Sequence, residues 1–258
     1  MHQLKLSLIT VCFNSEETIL DTLKSVEAQD YNNIEYIVVD GASRDRTVQI
    51  VRENPTRISQ LISEPDNGLY HAMNKGINLA TGDVIAFINA DDMYIDKGSI
   101  SAIMTVFQTY KDAQIAYGDL WYVDAKNTSI KVRNWVSGAY SPFKLHFGWM
   151  PPHPLFFAKR RLFDELGGFD QSFKISADYD LMLRFLKAVT PDNVVYIKKK
   201  LLNMRVGGSS SPFEMKNQLK IFLEFSRAAS TNKIRMPILA FVARSVIVGW
   251  QRIAGALN

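Results

Sequence analysis

The feature that most constrains this chain is the regular exchange of two hydrophobic periods over its first 88 residues. Residues 4–13 form an apolar run that reads as a buried strand. Residues 17–28 carry Ile19, Leu23 and Val26 on one helical face, and residues 34–39 are a β-branched and aromatic run of the kind buried on both faces of a sheet. A short helix over 47–52, a weaker strand over 58–62, a helix over 69–80 and a strand over 84–88 continue the exchange. Asp66 and Asn67 are suited to cap the helix that opens at Leu69, and Thr81-Gly82-Asp83 ends it. Strand–helix–strand units joined in this way predict an α/β fold: a mostly parallel sheet with helices on both faces.

The second half is more mixed. A helix over 99–110 and a strand over 115–123 are followed by residues 135–152, rich in aromatics, glycine and proline, which read as loops lining a site. An apolar strand over 155–157, a helix over 179–186 and short strands over 194–197 and 201–206 complete the body. Gly207-Gly208-Ser209-Ser210-Ser211 reads as a flexible joint. Two basic amphipathic helical segments follow, at about 213–230 and 236–255, so the expected division is a domain over 1–206 and a helical extension over 207–258.

Hydrophobic content of 47% and charged content of 22% supply a real core and exclude disorder as the default. The single cysteine, Cys12, lies in an apolar run, where a small buried hydrophobe is expected rather than a catalytic thiol. One cysteine makes no internal disulfide framework, which fits a reducing, cytoplasmic compartment. Lys5 interrupts the first apolar stretch and no cleavage pattern follows it, so a secretion signal is not expected. No segment reaches the ~20 apolar residues that span a bilayer.

The net charge of +4 is uneven: from Lys198 onward 11 Lys and Arg face only Glu214 and Glu224, giving +9 there and −5 before it. Such a tail asks for an anionic partner, lipid or nucleic acid. Ile238, Leu239, Phe241, Val242, Val246, Ile247 and Trp250, mixed with Arg235, Arg244 and Arg252, favour a helix lying in a membrane interface over nucleic acid. Packing on the body or in an oligomer is the alternative. The membrane reading makes the protein peripheral at the inner face of the cytoplasmic membrane.

Open parallel sheets bind ligands at the carboxyl ends of their strands. Here those ends are Phe13-Asn14-Ser15, Asp40-Gly41-Ala42-Ser43 and Asn89-Ala90-Asp91-Asp92. An acid closing the second strand commonly meets the sugar or base of a nucleotide. Residues 13–18 contain no glycine and no G-x-x-x-x-G-K-[ST] loop is present, so neither glycine-loop mechanism can hold the phosphates. Asp91 and Asp92 suit a hard divalent cation, which takes one or two carboxylates plus substrate phosphates; an ordinary acidic turn has the same composition. Lys75, in Asn74-Lys75-Gly76, would bring a cation to those phosphates, with Gly76 permitting close backbone approach, or would be a solvated surface lysine.

The residues 40–47 (Asp-Gly-Ala-Ser-Arg-Asp-Arg-Thr), Asn74-Lys75-Gly76, Asn89-Ala90-Asp91-Asp92, Gly167-Gly168-Phe169-Asp170 and Ala177-Asp178-Tyr179-Asp180-Leu181 together resemble glycosyltransferase family 2 of the GT-A fold, over about residues 6–188. The resemblance implies that Asp40 contacts the donor base, and that Thr10, Asn14, Ser43, Asn74, Lys75, Asn89 and Ala90 line the nucleotide-sugar. It implies Mg²⁺ or Mn²⁺ at Asp91 with Asp92 in support, and Asp178 as general base with Asp180 in reserve. Two positions depart from the family pattern. Asn89 stands where the first aspartate of Asp-x-Asp often is, and Ala177 where a glutamate often precedes the base. Ser176 is placed to cap the helix carrying Asp178; a helix N-terminus favours its anion by ~0.3–1 kcal/mol and makes it a weaker base.

His153, held between prolines in Pro151-Pro152-His153-Pro154, stands as a contact to diphosphate, metal or acceptor, or as a packed histidine. Trp149, with Trp135, Tyr140 and Phe147, forms either an acceptor wall or core. The implied reaction is a single inverting displacement onto a hydroxyl of a saccharide acceptor, lipid-linked if the tail binds membrane, as in bacterial surface polysaccharide synthesis. A sugar nucleotidyltransferase lacks its glycine-rich loop here. A catalytically inactive glycan-binding scaffold stays open through Asn89 and Ala177, and a glycoside hydrolase has no need of a nucleotide site.

Overall fold

The structure, a computed structural model, describes residues 3–54, 57–207 and 215–234. β1 (Leu6–Cys12), α1 (Ile19–Glu27), β2 (Ile34–Asp40), α2 (Thr47–Glu53), β3 (Ile58–Ser63), α3 (Leu69–Leu79) and β4 (Val84–Phe87) follow the predicted exchange of periods. β1 lies between β2 and β4 and β3 flanks β2, all parallel. Alternation along β1 then divides the core. Leu6 and Leu8 face α1 and α4 (Ser99–Thr109), while Ile9 and Val11 face α3, α6 (Arg160–Leu166) and α7 (Ala177–Ala188).

Beyond β4 the sheet becomes mixed, with order β3-β2-β1-β4-β8-β6-β9-β5 and β7 on β6. β8 (Phe157–Lys159) runs antiparallel to β4 and to β6 (Ile115–Val123), whereas β9 (Val194–Arg205) is parallel to β6. The expected strand over 155–157 is displaced: Pro154, which has no N–H to give a ladder, lies in a 3-10 turn over His153–Leu155, and the strand starts at Phe157. The two short strands expected over 194–206 are one. Lys198 and Lys199 are exposed, but the backbone keeps pairing with β6 through register shifts around Asp119. β5 (Met93–Tyr94), β7 (Lys131–Trp135), the four-residue α5 (Pro142–Leu145) and α6 are additions to the sequence reading. So is the N-cap of α3, which is Gly68 at φ 113 rather than Asp66 or Asn67.

α8 (Met215–Thr231) packs on α7. Phe225 stacks on Tyr179 with ring centroids 4.1 Å apart, and Ala228 and Ala229 are fully buried. The helix expected over 236–255 and the Ser-rich end of the joint lie outside the described residues.

Candidate active site

The parallel register ends the first strands together: Cys12 lies opposite Asp40, and Ile9 opposite Phe87. Past that edge the chain turns sharply, with Asn14 and Ala42 in the left-handed region at φ 50 and 61. The two turns are stitched to each other: the Asn14 amide donates to Ser43 Oγ (2.8 Å) and the Arg44 amide donates to Asn14 Oδ1 (2.9 Å). Asp40 is fully buried and accepts from the Ser43 amide (3.0 Å), the Ser43 hydroxyl and the Ser63 hydroxyl (2.7 Å). Its carboxylate therefore shapes the turn from beneath.

Phe13, which the sequence reading passed over, is 59% exposed at this edge. A Cβ added at Gly41 would sit 3.4 Å from its ring and 2.5 Å from Asp66 Oδ2, so the 64–68 turn crosses close to it. The available signal was an aromatic placed just where a buried strand ends. Thr10 lies within β1. Its hydroxyl is buried inside the sheet, donating to the Ile88 carbonyl (2.9 Å) and paired with Tyr36 OH (3.0 Å), so its side chain does not reach the ligand edge. Cys12 is buried beside Asp40, and burial with that negative neighbour pushes its thiol far above the ordinary value, which makes it inert.

At the end of β4, Asn89 Nδ2 donates to Asp92 Oδ2 (2.8 Å) and the Thr22 hydroxyl donates to the Asp92 carbonyl (2.8 Å). Ala90 is buried beneath them. Asp92 is fully buried, and its Oδ1 has no hydrogen-bond partner. Burial, then the neighbouring Asp91 charge, drives the Asp92 carboxyl well above its usual range. Burial raises Asp91 as well, against the pull of Arg205. Arg205, the last residue of β9, stands behind the turn, donating to the Asp91 carbonyl (3.2 Å) and pairing with Asp21 (2.5 Å). Two crowded carboxylates and one orphaned buried oxygen fit a divalent cation. Among the described residues no group of three metal-ligating side chains exists, so such a cation would take its remaining oxygens from substrate.

α3 distributes its predicted residues differently from expectation. Lys75 is not a solvated surface lysine; it pairs with Glu64 (2.8 Å) and donates to the Pro65 carbonyl (3.1 Å) of the turn that follows β3. Asn74 turns away, its amide closing both ends of a bridge to the Phe169 backbone (each 2.8 Å). A Cβ at Gly76 would lie 2.5 Å from Ile9 Cγ2, so this glycine brings helix to sheet rather than backbone to ligand.

His153 stacks on Phe87 (5.5 Å) and meets Phe169 edge-on (5.7 Å), which sets it between the end of β4 and the entry to α7. Its Nε2 is buried without a partner, and burial lowers its basicity, with Asp178 pulling the other way. The imidazole is neutral near pH 7. Asp178 is half-buried, accepts the Tyr179 amide (2.8 Å) and forms no salt bridge among the described residues. Asp180 differs: it is buried, paired with Arg184 (2.8 Å), and accepts from Asn232 (2.8 Å). Arg184 in turn holds the carbonyls of Leu166 (2.7 Å) and Gly168 (2.6 Å), so Asp180 belongs to a structural network. Trp149 donates to the Ser137 carbonyl (2.7 Å) and packs between Tyr117 and Tyr140, each 5.7 Å away. Trp135 and Tyr140 pack against the same core.

The family model for glycosyl transferase family 2 matches residues 7–176, a span that takes in the carboxyl ends of β1, β2 and β4. The chain belongs to glycosyl transferase family 2. Among curated relatives, a PGL/p-HBAD biosynthesis glycosyltransferase of Mycobacterium bovis is 27% identical over 181 residues, 69% of this chain and 68% of the relative. A glycosyltransferase of Mycobacterium tuberculosis is 29% identical over 207 residues, covering 80% and 78%. Solved structures show the GT-A fold. Mannosyltransferase PcManGT from Pyrobaculum calidifontis, in complex with GDP-Man and Mn²⁺, aligns with TM-score 0.69 at 17% identity, over 100% of this chain and 74% of that one. S. aureus TarS 1–349 in complex with UDP-GlcNAc aligns with TM-score 0.67 at 17% identity, over 88% and 66%. The chain spans 39% of the longer TarS chain.

Proposed function

We propose that this family 2 member transfers a sugar from a nucleotide-sugar to a hydroxyl of a saccharide acceptor, with inversion at the anomeric carbon. The observation that carries the reading is the Asp91–Asp92 pair, crowded and with one orphaned oxygen, just past β4, whose Phe87 stacks on a His153 that feels the Asp178 charge. Asp178 takes the proton of the acceptor hydroxyl as that oxygen attacks the anomeric carbon. The bond from this carbon to the diphosphate breaks, and its electron pair leaves on the nucleoside diphosphate.

Phe13 offers its exposed face to the base, while Asp40, Ser43 and Asn14 hold the turn that frames it. Lys75 exchanges Glu64 for a phosphate oxygen. His153, being neutral, orients by hydrogen bonding rather than by charge. Asp91, with Asp92 behind it, would hold a divalent cation, which when bound compensates the charge of the departing diphosphate.

UDP- and GDP-sugars bound to fold neighbours support a donor of one of those types. The name of the mycobacterial relative, with the basic segment after residue 206, supports a lipid-linked saccharide acceptor in surface glycoconjugate synthesis. That segment would make the protein peripheral at the inner face of the membrane; no helix among the described residues is long and apolar enough to cross one. The catalytic assignment is tested by paired variants. Asp178→Asn is expected to lower kcat by roughly 10²–10⁴-fold with nucleotide affinity retained. Wild-type rates for Asp178→Asn alongside an inactive Asp180→Asn would reverse it.

A further inference from the structure

The segment that delivers Asp178 to the site is not held by its own sequence. Ser176, at the N-cap of α7, makes no side-chain cap. Instead the carboxylate of Glu224, reaching from α8, accepts three consecutive backbone amides: Lys174 (3.0 Å), Ile175 (2.7 Å) and Ser176 (3.1 Å). From the opposite side Tyr70 OH donates to the Ile175 carbonyl (2.5 Å). Immediately past Asp178 the chain is held twice more, by the Phe225–Tyr179 stack from α8 and by Asn232, just beyond α8, whose Nδ2 donates to Asp180 Oδ1 (2.8 Å). Residues 174–176, 179 and 180 are thus held from residues 224–232, and 178 is the acid left between them.

We infer that Glu224 is a positioning residue for the reaction: its carboxylate, seated in the nest of three amides, sets where Asp178 stands. The inference rests on the reading of Asp178 as the general base. Three N–H groups converging on one carboxylate oxygen define its position in three dimensions, which a hydrophobic contact would not. Without Glu224 these amides turn to water, and the loop before α7 loses the restraint that aims Asp178. A displacement of ~1 Å at a catalytic group costs up to ~10²-fold in rate. The family match ends at residue 176, before both Asp178 and α8.

The test compares Glu224→Ala, Glu224→Gln and Asp178→Asn in the full chain. The donor is whichever of UDP-GlcNAc, UDP-glucose, UDP-galactose and GDP-mannose the wild type turns over fastest. Glu224→Ala is expected to lower kcat by about 10–100-fold while the donor KM stays within about twofold. Glu224→Gln, whose amide oxygen still accepts the N–H groups, is expected to recover most of the loss. Glu35→Gln, a buried change at the opposite end of the sheet, controls for stability and is expected to lower Tm with kcat kept. If Glu224→Ala does not fold, Glu224→Asp, one methylene shorter, carries the same expectation. An unchanged kcat in Glu224→Ala or Glu224→Asp, or a loss no larger than Glu35→Gln shows at equal Tm, would overturn the positioning role while Asp178→Asn stays inactive. Full activity in Asp178→Asn would overturn the base assignment and the positioning role together.

Discussion

Asp92 is the residue whose environment is most at odds with its charge. It is fully buried beside a second acid, and one of its oxygens has no partner. Because its folded pKa is raised, its ionisation opposes folding: the cation-free protein loses stability as pH rises from the ordinary aspartate range through the raised folded value. Asp92→Asn is therefore expected to stabilise the cation-free protein at pH 7 by about 1–3 kcal/mol, an upward Tm shift of roughly 2–4 °C per kcal/mol. The same variant is expected to lose most transfer activity; thermal melts and initial rates on one preparation check both. Single residues were legible where chemistry is local in sequence. Asn89 to Asp92 and Asp178 announce themselves by type and by place at element ends. Arg205 and Glu224 do not, because Arg205 meets Asp91 only after β9 pairs with β6, and Glu224 meets Ile175 only after α8 packs on α7. Thr10 and Asn74 carry side chains equally suited to a ligand and to the interior, and the packed fold takes both.

At the scale of elements, α3 shows how a motif can be read correctly in position and differently in purpose. Its tripeptide Asn74-Lys75-Gly76 latches the 167–169 loop, pairs with the 64–65 turn and seats the helix on β1, in that order. Gly76→Ala is expected to push α3 off Ile9 and to destabilise the protein by about 1–3 kcal/mol, seen as a lower urea midpoint with an unchanged m-value. Strands and helices before residue 88 were legible because each follows one period without interruption. The later ones were not, for physical reasons. In β7 the run Lys131-Val132-Arg133-Asn134-Trp135 is half-exposed and masks its pattern with charge, and in β9 the solvent-facing lysines break the apolar run while the ladder continues. Lys131 and Lys200 lie over the Trp121 ring (4.7 and 5.0 Å), so these cations pack on aromatics as well as facing water.

For the whole molecule, the sheet separates two ends with opposite electrostatic character. At the amino ends of the strands Glu35 accepts from Lys5 (2.7 Å), Ser7 (2.5 Å) and both the amide and hydroxyl of Thr81 (2.7 Å each). Burial alone would raise its carboxyl, but these four donors hold it at about 2. Its folded value is depressed, so its contribution is full above the ordinary glutamate range and is lost as pH falls toward about 2. Acid unfolding of Glu35→Gln is expected to show a shallower fall in stability between pH 4.5 and 2 than wild type, measured by denaturant melts at each pH. At the carboxyl ends Arg205 and Asn89 offset only part of the crowding of Asp91 and Asp92, and in the proposed function a nucleoside diphosphate with its cation completes them. The most direct measurement is a thermal shift of the full chain with UDP, GDP, dTDP and CMP, each with and without Mn²⁺, repeated on Asp91→Asn. One nucleoside diphosphate is expected to raise Tm, as follows from ~2.7 kcal/mol of stabilisation at a hundredfold excess over Kd, more with Mn²⁺ than without, and Asp91→Asn is expected to remove the Mn²⁺ increment. No shift with any nucleotide in either condition would contradict the proposed function.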